Sequence, residues 1–380
     1  MESLIQNKQR HRRLFFDQIK AIMITLVIAS HTVLLASLSS KGVGQLIKDA
    51  PLFEGFNLWF VWVCNTFFMN ILFLISGYLL PQSIQKQGLK QFVKNRLIRL
   101  GIPLSLSIIL INNILPIGGL LVPDSPAFDQ VFTSLPLNRI GPQWFLLVLI
   151  IFNAMYCLWA WLRNTKFSIN QNIPVPGWRS WLISAVILGI IEMGMSHFSN
   201  LWINLKETNL DGLGYQGMHL FTYGFLFAVG CKSASHRWLE RINQRLAYSW
   251  FQASLLISLT FLAVMVATIL MGNNSYFLQQ AWPILSAFIP FVGWGYIAIF
   301  LTWTQHHEHI GGAWLAEAGR DGFGAYLIHM PVLYGCFMPL YLSGVTNIWI
   351  LGPSATILAI VLSFWGSHQL RNIPAIRRII

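Results

Sequence analysis

Long apolar runs divide almost the whole chain, and they restrict its fold to a helical bundle in a membrane. Ten runs have spanning length, at about 19–38, 56–80, 97–121, 142–162, 180–198, 218–232, 246–271, 281–304, 322–341 and 345–368. A transmembrane helix needs about 20 mostly apolar residues. Only 10% of the 380 residues are charged, whereas soluble domains have about 25%. The sequence therefore predicts an all-α polytopic membrane bundle of about ten transmembrane helices, forming one domain over residues 1–380.

The basic residues orient this predicted bundle. With ten spans both termini lie on the same side, and nearly all of the 25 lysines and arginines fall on that side. The exceptions are Lys41, Lys48, Arg139 and Lys206. Because cytoplasmic loops are enriched in Lys and Arg, both termini are predicted to be cytoplasmic. The same enrichment accounts for the net charge of +12, so we expect no nucleic-acid partner.

One ionisable residue interrupts the first predicted span. The stretch "FFDQIKAIMITLVIASHTVLLAS" places His31 close to three helical turns after Lys20, on the same stripe and roughly 16 Å along the axis. An ionisable group inside a span is a candidate functional residue. His31 is either a hydrogen-bonded structural histidine, or a general base or transient acyl carrier. Lys20 alone is typical of a residue at the membrane edge. Its position on the same stripe as His31 favours a functional role for both residues.

A basic pair precedes the third predicted span, in "KQFVKNRLIRLGIP". Arg96 and Arg99 are three residues apart, so a helix would place them side by side at the cytoplasmic edge. Arginine pairs of this kind hold phosphate groups. The alternative is ordinary anchoring to anionic lipid headgroups.

Glu192 lies inside the fifth predicted span, toward its outer half. A carboxylate there needs a partner, and either His31 or an incoming sugar hydroxyl would serve. The alternative is a protonated or hydrogen-bonded structural carboxyl group.

Several further residues stand in distinctive segments without a defined role. Tyr326 and His329 are three residues apart on the ninth predicted span, and Trp144 begins the fourth. Ser76 and Gly77 are small residues that allow close approach of another helix. Ser76 has no base beside it in the sequence, which argues against a nucleophile.

We expect no metal centre. The cysteines at 64, 157, 231 and 336 are widely spaced and show neither metal-type spacing nor a disulfide framework. The segment "HHEH" at 306–309 lies in a short predicted cytoplasmic loop without a separated partner motif.

Taken together, the segments "FDQIKAIMITLVIASH", "FLISGYLL", "RLIRLGIP", "PQWFLLVL" and "GAYLIHMP" resemble the acyltransferase-3 family of multi-spanning membrane O-acyltransferases. The chain length and "YLIHMP" also resemble the branch with surface-polysaccharide O-acetyltransferases and periplasmic glucan succinyltransferases. The resemblance implies a multi-pass protein of the inner (plasma) membrane that works among membrane lipids. It further implies transfer of an acetyl or succinyl group from cytoplasmic acyl-CoA to a carbohydrate hydroxyl on the outer side.

The resemblance also carries over to individual residues. Lys20 and His31 match the first-span motif, with Lys where many members have Arg, and Arg96 and Arg99 match the basic entry to the third span. It implies that Lys20, Arg96 and Arg99 bind the CoA phosphates. His31 then acts as base or acyl carrier with Glu192 as a possible aid. Substrate or structural roles are left for Trp144, Ser76, Tyr326 and His329.

Two other classes of function fit the residues. A proton-coupled transporter or flippase of a sugar-containing lipid would use His31 and Glu192 as a proton relay, although no inverted repeat supports it. A non-catalytic assembly partner would need His31 only for stability. No residue pattern indicates an oligomeric state.

Overall fold

A computed structural model describes residues 2–38, 46–47, 49–111, 143–164, 167–197, 219–271, 274–307 and 311–380. The helices are α1 (Glu2–Leu38), α2 (Pro51–Gln87), α3 (Leu89–Arg96), α4 (Ile102–Leu106), α5 (Trp144–Arg163), α6 (Trp178–His197), α7 (Leu220–His236), α8 (Gln244–Leu270), α9 (Asn274–His306), α10 (Gly312–Leu342) and α11 (Ile348–Asn372). No strand occurs within these ranges. The predicted all-α bundle is confirmed.

Eight helices in the described ranges are long and apolar enough to cross a membrane. They correspond to all of the predicted spans except the third and the sixth. The sixth is represented by α7, which is apolar but has only 17 residues. Many large apolar side chains of these helices are exposed, as expected of spanning helices that face lipid.

The third predicted span does not begin as a regular α-helix. Two π-helical segments, Leu97–Gly101 and Ser107–Ile111, flank the short helix α4. Pro103 explains the first of them, because proline has no N–H to donate and crowds the carbonyl of Arg99 one turn earlier. The rest of this predicted span, residues 112–121, lies outside the described residues.

Helix α2 is the centre of the bundle, in contact with α1, α7, α8 and α9. Its crossing with α7 is close because glycines face backbone on both sides. A Cβ atom at Gly77 would overlap the carbonyl oxygen of Phe227, and one at Gly230 would overlap that of Leu74. The close approach predicted for the small residues at this point of α2 is confirmed.

Helix α10 packs between α1 and α11. At the start of the α1–α10 contact, a Cβ atom at Gly319 would overlap the carbonyl oxygen of Asp17. Further along, Gly322 faces Ile24. This tight pairing holds the two helices in a fixed register, which brings His31 on α1 next to His329 on α10.

The α5–α6 and α7–α8 connections meet at one end of the bundle, which we call the basic face. The backbone N–H of Asn170 donates to the Ser235 carbonyl at 2.8 Å, and the side-chain Nε2 of Gln305 donates to the Leu239 carbonyl at 2.7 Å. The basic residues in or beside these connections are Arg163, Arg179, Lys232, Arg237, Arg241 and Arg245.

Candidate active site

Two histidines meet inside the bundle. The imidazole rings of His31 and His329 have centroids 4.9 Å apart and are inclined by 69°, edge to face. His31 is half-buried, and His329 is 0% exposed. The sequence marked both residues but did not predict that they are neighbours.

The hydrogen bonds of the two rings define their tautomers. His31 Nδ1 lies 2.7 Å from the Val27 carbonyl oxygen, and His329 Nδ1 lies 2.5 Å from that of Tyr326. A carbonyl only accepts hydrogen bonds, so each Nδ1 is the protonated donor, and in the neutral ring Nε2 has the lone pair. Both rings therefore present a basic nitrogen away from their own helix.

His329 Nε2 is buried and has no hydrogen-bond partner among the described residues. A buried polar atom without a partner costs about 1–3 kcal/mol, and such atoms in a folded protein point to strain or to a missing donor. Two Nε2 lone pairs cannot bond to each other. A substrate hydroxyl can donate to either Nε2. Alternatively, when one ring is protonated, its Nε2–H can donate to the Nε2 of the other ring.

Aromatic side chains continue from His329 across the bundle. Tyr326 stacks on the His329 ring at 5.6 Å, and Phe145 lies edge-on to Tyr326 at 6.0 Å. Trp144 stacks on Tyr223 at 5.4 Å. Tyr326 and Trp144 thus belong to one aromatic layer, which leads from the two histidines to the N-terminal end of α5. The sequence had marked these two residues only as members of motifs.

Gln143, immediately before Trp144, is a residue that sequence reasoning missed. It is 0% exposed, and neither its amide oxygen nor its amide nitrogen has a partner in the described part of the chain. Its position in the "PQWFLLVL" segment was the available signal. A buried amide with both functions unused can bind a group that donates and accepts, such as a hydroxyl.

Glu192 forms a separate polar group between α6 and α7. Its side chain is 0% exposed, accepts from His219 Nδ1 at 3.0 Å and also accepts from the Thr222 hydroxyl. No hydrogen bond joins Glu192 to His31 within the described ranges, and the two lie in different clusters. His219 and Thr222 were not singled out in the sequence, because they fall at the start of the short sixth run.

Lys20 is engaged within its own helix. Its Nζ lies 3.0 Å from Asp17 Oδ1, and its side chain is 35% exposed. The carboxylate holds the ammonium group one turn before the apolar part of α1. Lys20 is on the stripe predicted from the sequence, and its exposed fraction leaves it accessible to a further anion.

Arg96 and Arg99 lie at the end of α3 and in the π-helical segment that follows. The Arg96 guanidinium sits over the Phe92 ring at 5.1 Å, and Arg99 is exposed. Burial, and secondly the nearby charge of Arg99, lower the pKa of Arg96 to about 10. Arg96 thus stays protonated at neutral pH next to a second cation, which is a suitable arrangement for a polyanion.

Ser76 is half-buried on α2, beside the glycine crossing with α7. The described structure gives no histidine, carboxylate or lysine in hydrogen-bond contact with it. It has the surroundings of a packing residue.

An acidic group lies at the start of α10. Glu317, Asp321 and His368 have ligand atoms within 4.8 Å of one another. Asp321 lies 3.1 Å from both Arg371 and His368, and Glu317 pairs with Arg371 and Arg320. Because two arginines neutralise the carboxylates, this group is an ion-pair network that ties α10 to α11.

The fold and this polar centre define a class, that of multi-pass membrane proteins with ionisable groups inside the bundle. A family model described as an acyltransferase domain, that of the acyltransferase-3 family, matches residues 13–368. The chain belongs to this family, and the protein is a membrane acyltransferase. No curated protein and no solved structure matches the chain.

Proposed function

We propose that the protein is an O-acyltransferase that moves an acetyl or succinyl group from acyl-CoA to a hydroxyl of a carbohydrate on the opposite side of the membrane. The donor enters at the cytoplasmic side and the acceptor from outside, in the inner (plasma) membrane. The observation that carries this proposal is the contact of the His31 and His329 rings inside the bundle at 4.9 Å. His31 Nδ1 lies 2.7 Å from the Val27 carbonyl oxygen, so in the neutral ring Nε2 has the lone pair that a base needs.

His31 is the general base in this mechanism. Its Nε2 takes the proton of the acceptor hydroxyl as the oxygen–acyl bond forms and the sulfur–acyl bond breaks. The proton then passes to the CoA thiolate that leaves, so no charge remains on the ring. General-base catalysis of this kind contributes about 10²–10⁴ in rate.

His329 supports the charged form of His31. When His31 becomes an imidazolium it gains an Nε2–H, and His329 Nε2 is a buried acceptor without a partner at 4.9 Å between ring centroids. This acceptor becomes usable once the proton has left the acceptor hydroxyl, so it stabilises the imidazolium until His31 passes the proton to the thiolate. His329 is in this account a positioning residue for the proton.

The donor site is assigned to the basic residues. Arg99 lies close enough to lower the pKa of Arg96, which at about 10 still leaves Arg96 protonated at neutral pH. Lys20 is a third cation, half-exposed on the helix that bears His31. These groups suit the phosphates of CoA, and the thioester would then extend along α1 toward His31.

The acceptor side is assigned to Gln143 and to the Glu192 group. Gln143 has an unused donor and acceptor beside the Trp144–Tyr223 stack. Amide groups next to aromatic faces are suited to sugar hydroxyls and ring C–H groups. Glu192 acts here through His219 and Thr222, which it holds in place.

A thermal-shift titration tests the donor assignment. Detergent-purified protein is titrated with acetyl-CoA, succinyl-CoA and free CoA, and Tm is measured. A ligand that binds only the native state raises stability by RT ln(1 + [L]/Kd). Saturable stabilisation by the acyl-CoA is expected, and the acyl group with the lower Kd is the assigned donor. No stabilisation by any of the three would contradict the proposal and favour a transport function, tested by proton flux.

A further inference from the structure

An apolar cavity of about 200 Å³ lies on the basic face, away from the two histidines. It is bounded by α7 and α9, by the first turns of α6 and by the α7–α8 connection. Its wall includes Leu226, Val229, Trp181, Trp238 and Ala298. None of the groups assigned above to acyl transfer lines it.

Two of the three serine hydroxyls in the wall already donate within the protein, and the third, on Ser180, lies at an exposed position. Ser184 donates to the Trp181 carbonyl at 2.8 Å and accepts from Trp294 Nε1 at 2.9 Å. Ser233 donates to the Val229 carbonyl at 2.6 Å. A pantetheine arm or a sugar would leave most of its polar groups unpaired against this wall, which is costly. The cavity suits a hydrocarbon chain.

One donor at the cavity is unused. Trp238 Nε1 is buried and has no hydrogen-bond partner among the described residues. Trp238 lines the cavity and directly follows Arg237 in the sequence. An acceptor oxygen attached to the hydrocarbon chain would satisfy this N–H.

The surroundings of the cavity carry positive charge. Arg179, Lys232 and Arg241 are exposed, and each is adjacent in sequence to a residue of the cavity wall. The nearby acid Glu240 accepts a hydrogen bond from the Tyr78 hydroxyl at 2.8 Å. The net positive charge complements an anionic headgroup.

We propose that this cavity binds one acyl chain of an anionic phospholipid from the leaflet at the basic face. The chain fills the apolar space, an ester carbonyl accepts from Trp238 Nε1, and the phosphate lies among Arg179, Lys232 and Arg241. The lipid thereby holds α6, α7 and α9 together at this end of the bundle. The site is independent of the acyl-transfer reaction.

Native mass spectrometry tests the site on the full-length protein. Delipidated protein is reloaded with phosphatidylglycerol or with phosphatidylcholine of the same chains, and bound lipid is measured. Ser180→Trp obstructs the open edge of the cavity, and Val229→Trp fills its interior. Ile357→Trp, on an exposed position of α11, is the matched control. Trp238→Phe keeps the ring and removes the N–H.

Parent protein and the Ile357 variant are expected to retain one phosphatidylglycerol and to bind phosphatidylcholine more weakly. The Ser180 and Val229 variants are expected to lose the lipid, and Trp238→Phe to bind it about tenfold more weakly. Parental retention by Ser180→Trp, an exposed substitution that leaves the core unchanged, would overturn the site. Equal binding of the two lipids would overturn the anionic headgroup. Neither readout depends on acyl transfer.

Discussion

The rings of His31 and His329 lie 4.9 Å apart, edge to face, on two helices whose backbones are in close contact. Each ring donates its Nδ1–H to its own helix. Two titratable rings are therefore in contact inside the bundle. The following predictions concern this pair and the groups around it.

The His329→Phe variant is expected to fold but to transfer the acyl group more slowly than the parent. The substitution keeps an aromatic ring and removes a buried nitrogen without a partner, so the free energy of unfolding should be unchanged or rise by up to about 1–3 kcal/mol. The acyl-transfer rate should fall at least about tenfold, because the His31 imidazolium loses its acceptor. His307→Phe, at an exposed position, is the control. A parental rate in His329→Phe would exclude the proton-positioning role.

Arg96→Gln is expected to weaken acyl-CoA binding by about tenfold or more, since a charge-assisted phosphate contact is lost. The Kd is measured by the thermal-shift titration described above. Arg163→Gln changes an exposed arginine at the end of α5 and should have little effect. Equal Kd values for Arg96→Gln and the parent would remove Arg96 from the donor site.

Gly77→Ala is expected to lower the free energy of unfolding by about 1–3 kcal/mol or more, because the new Cβ atom would overlap the Phe227 carbonyl. Gly335→Ala is the control on α10, where a Cβ atom meets nothing within 4 Å, and it should be neutral or slightly stabilising. Thermal unfolding of both variants measures the difference. Equal stability of the two variants would contradict the close α2–α7 crossing.

Glu192→Leu is expected to destabilise the protein far more than Glu192→Gln. The leucine removes the carboxylate that accepts from His219 and Thr222, at about 1–3 kcal/mol for each lost hydrogen bond, whereas the glutamine oxygen still accepts one of them. Glu192→Gln should raise the acceptor KM and leave the acyl-CoA Kd unchanged. A leucine variant as stable as the parent would show that the Glu192 group does not support α6 and α7.

The helical class could be predicted from the sequence because apolar runs of spanning length allow few other structures in lipid. The irregular start of the third predicted span could not be predicted in this way. Pro103 disturbs the helical hydrogen bonds before it, and the segment Leu97–Gly101 is π-helical. The effect of one proline on the preceding turn is local, and hydrophobic periodicity does not report it.

The contacts of the site residues could not be predicted in the same way. His31 was identified because an ionisable residue in a span is unusual, and His329 because it stands in a distinctive segment of the ninth predicted span. Periodicity gives a residue's face and not its partner on a distant helix. Glu192 was expected near His31 or a sugar, and its partners are His219 and Thr222. The packing of α6 against α7 determines which residues contact Glu192. A single sequence does not show how two helices pack.

The most direct test of the central claim is acyl transfer by His31→Ala. Membrane vesicles with their basic face outward, prepared from cells that express the parent or the variant, receive acetyl-CoA or succinyl-CoA with a labelled acyl group. Label in the carbohydrate fraction is then measured. The account predicts label with the parent, a loss of about 10²–10⁴ in rate with His31→Ala, and retained CoA stabilisation of the purified variant. Parental labelling by His31→Ala would contradict the account.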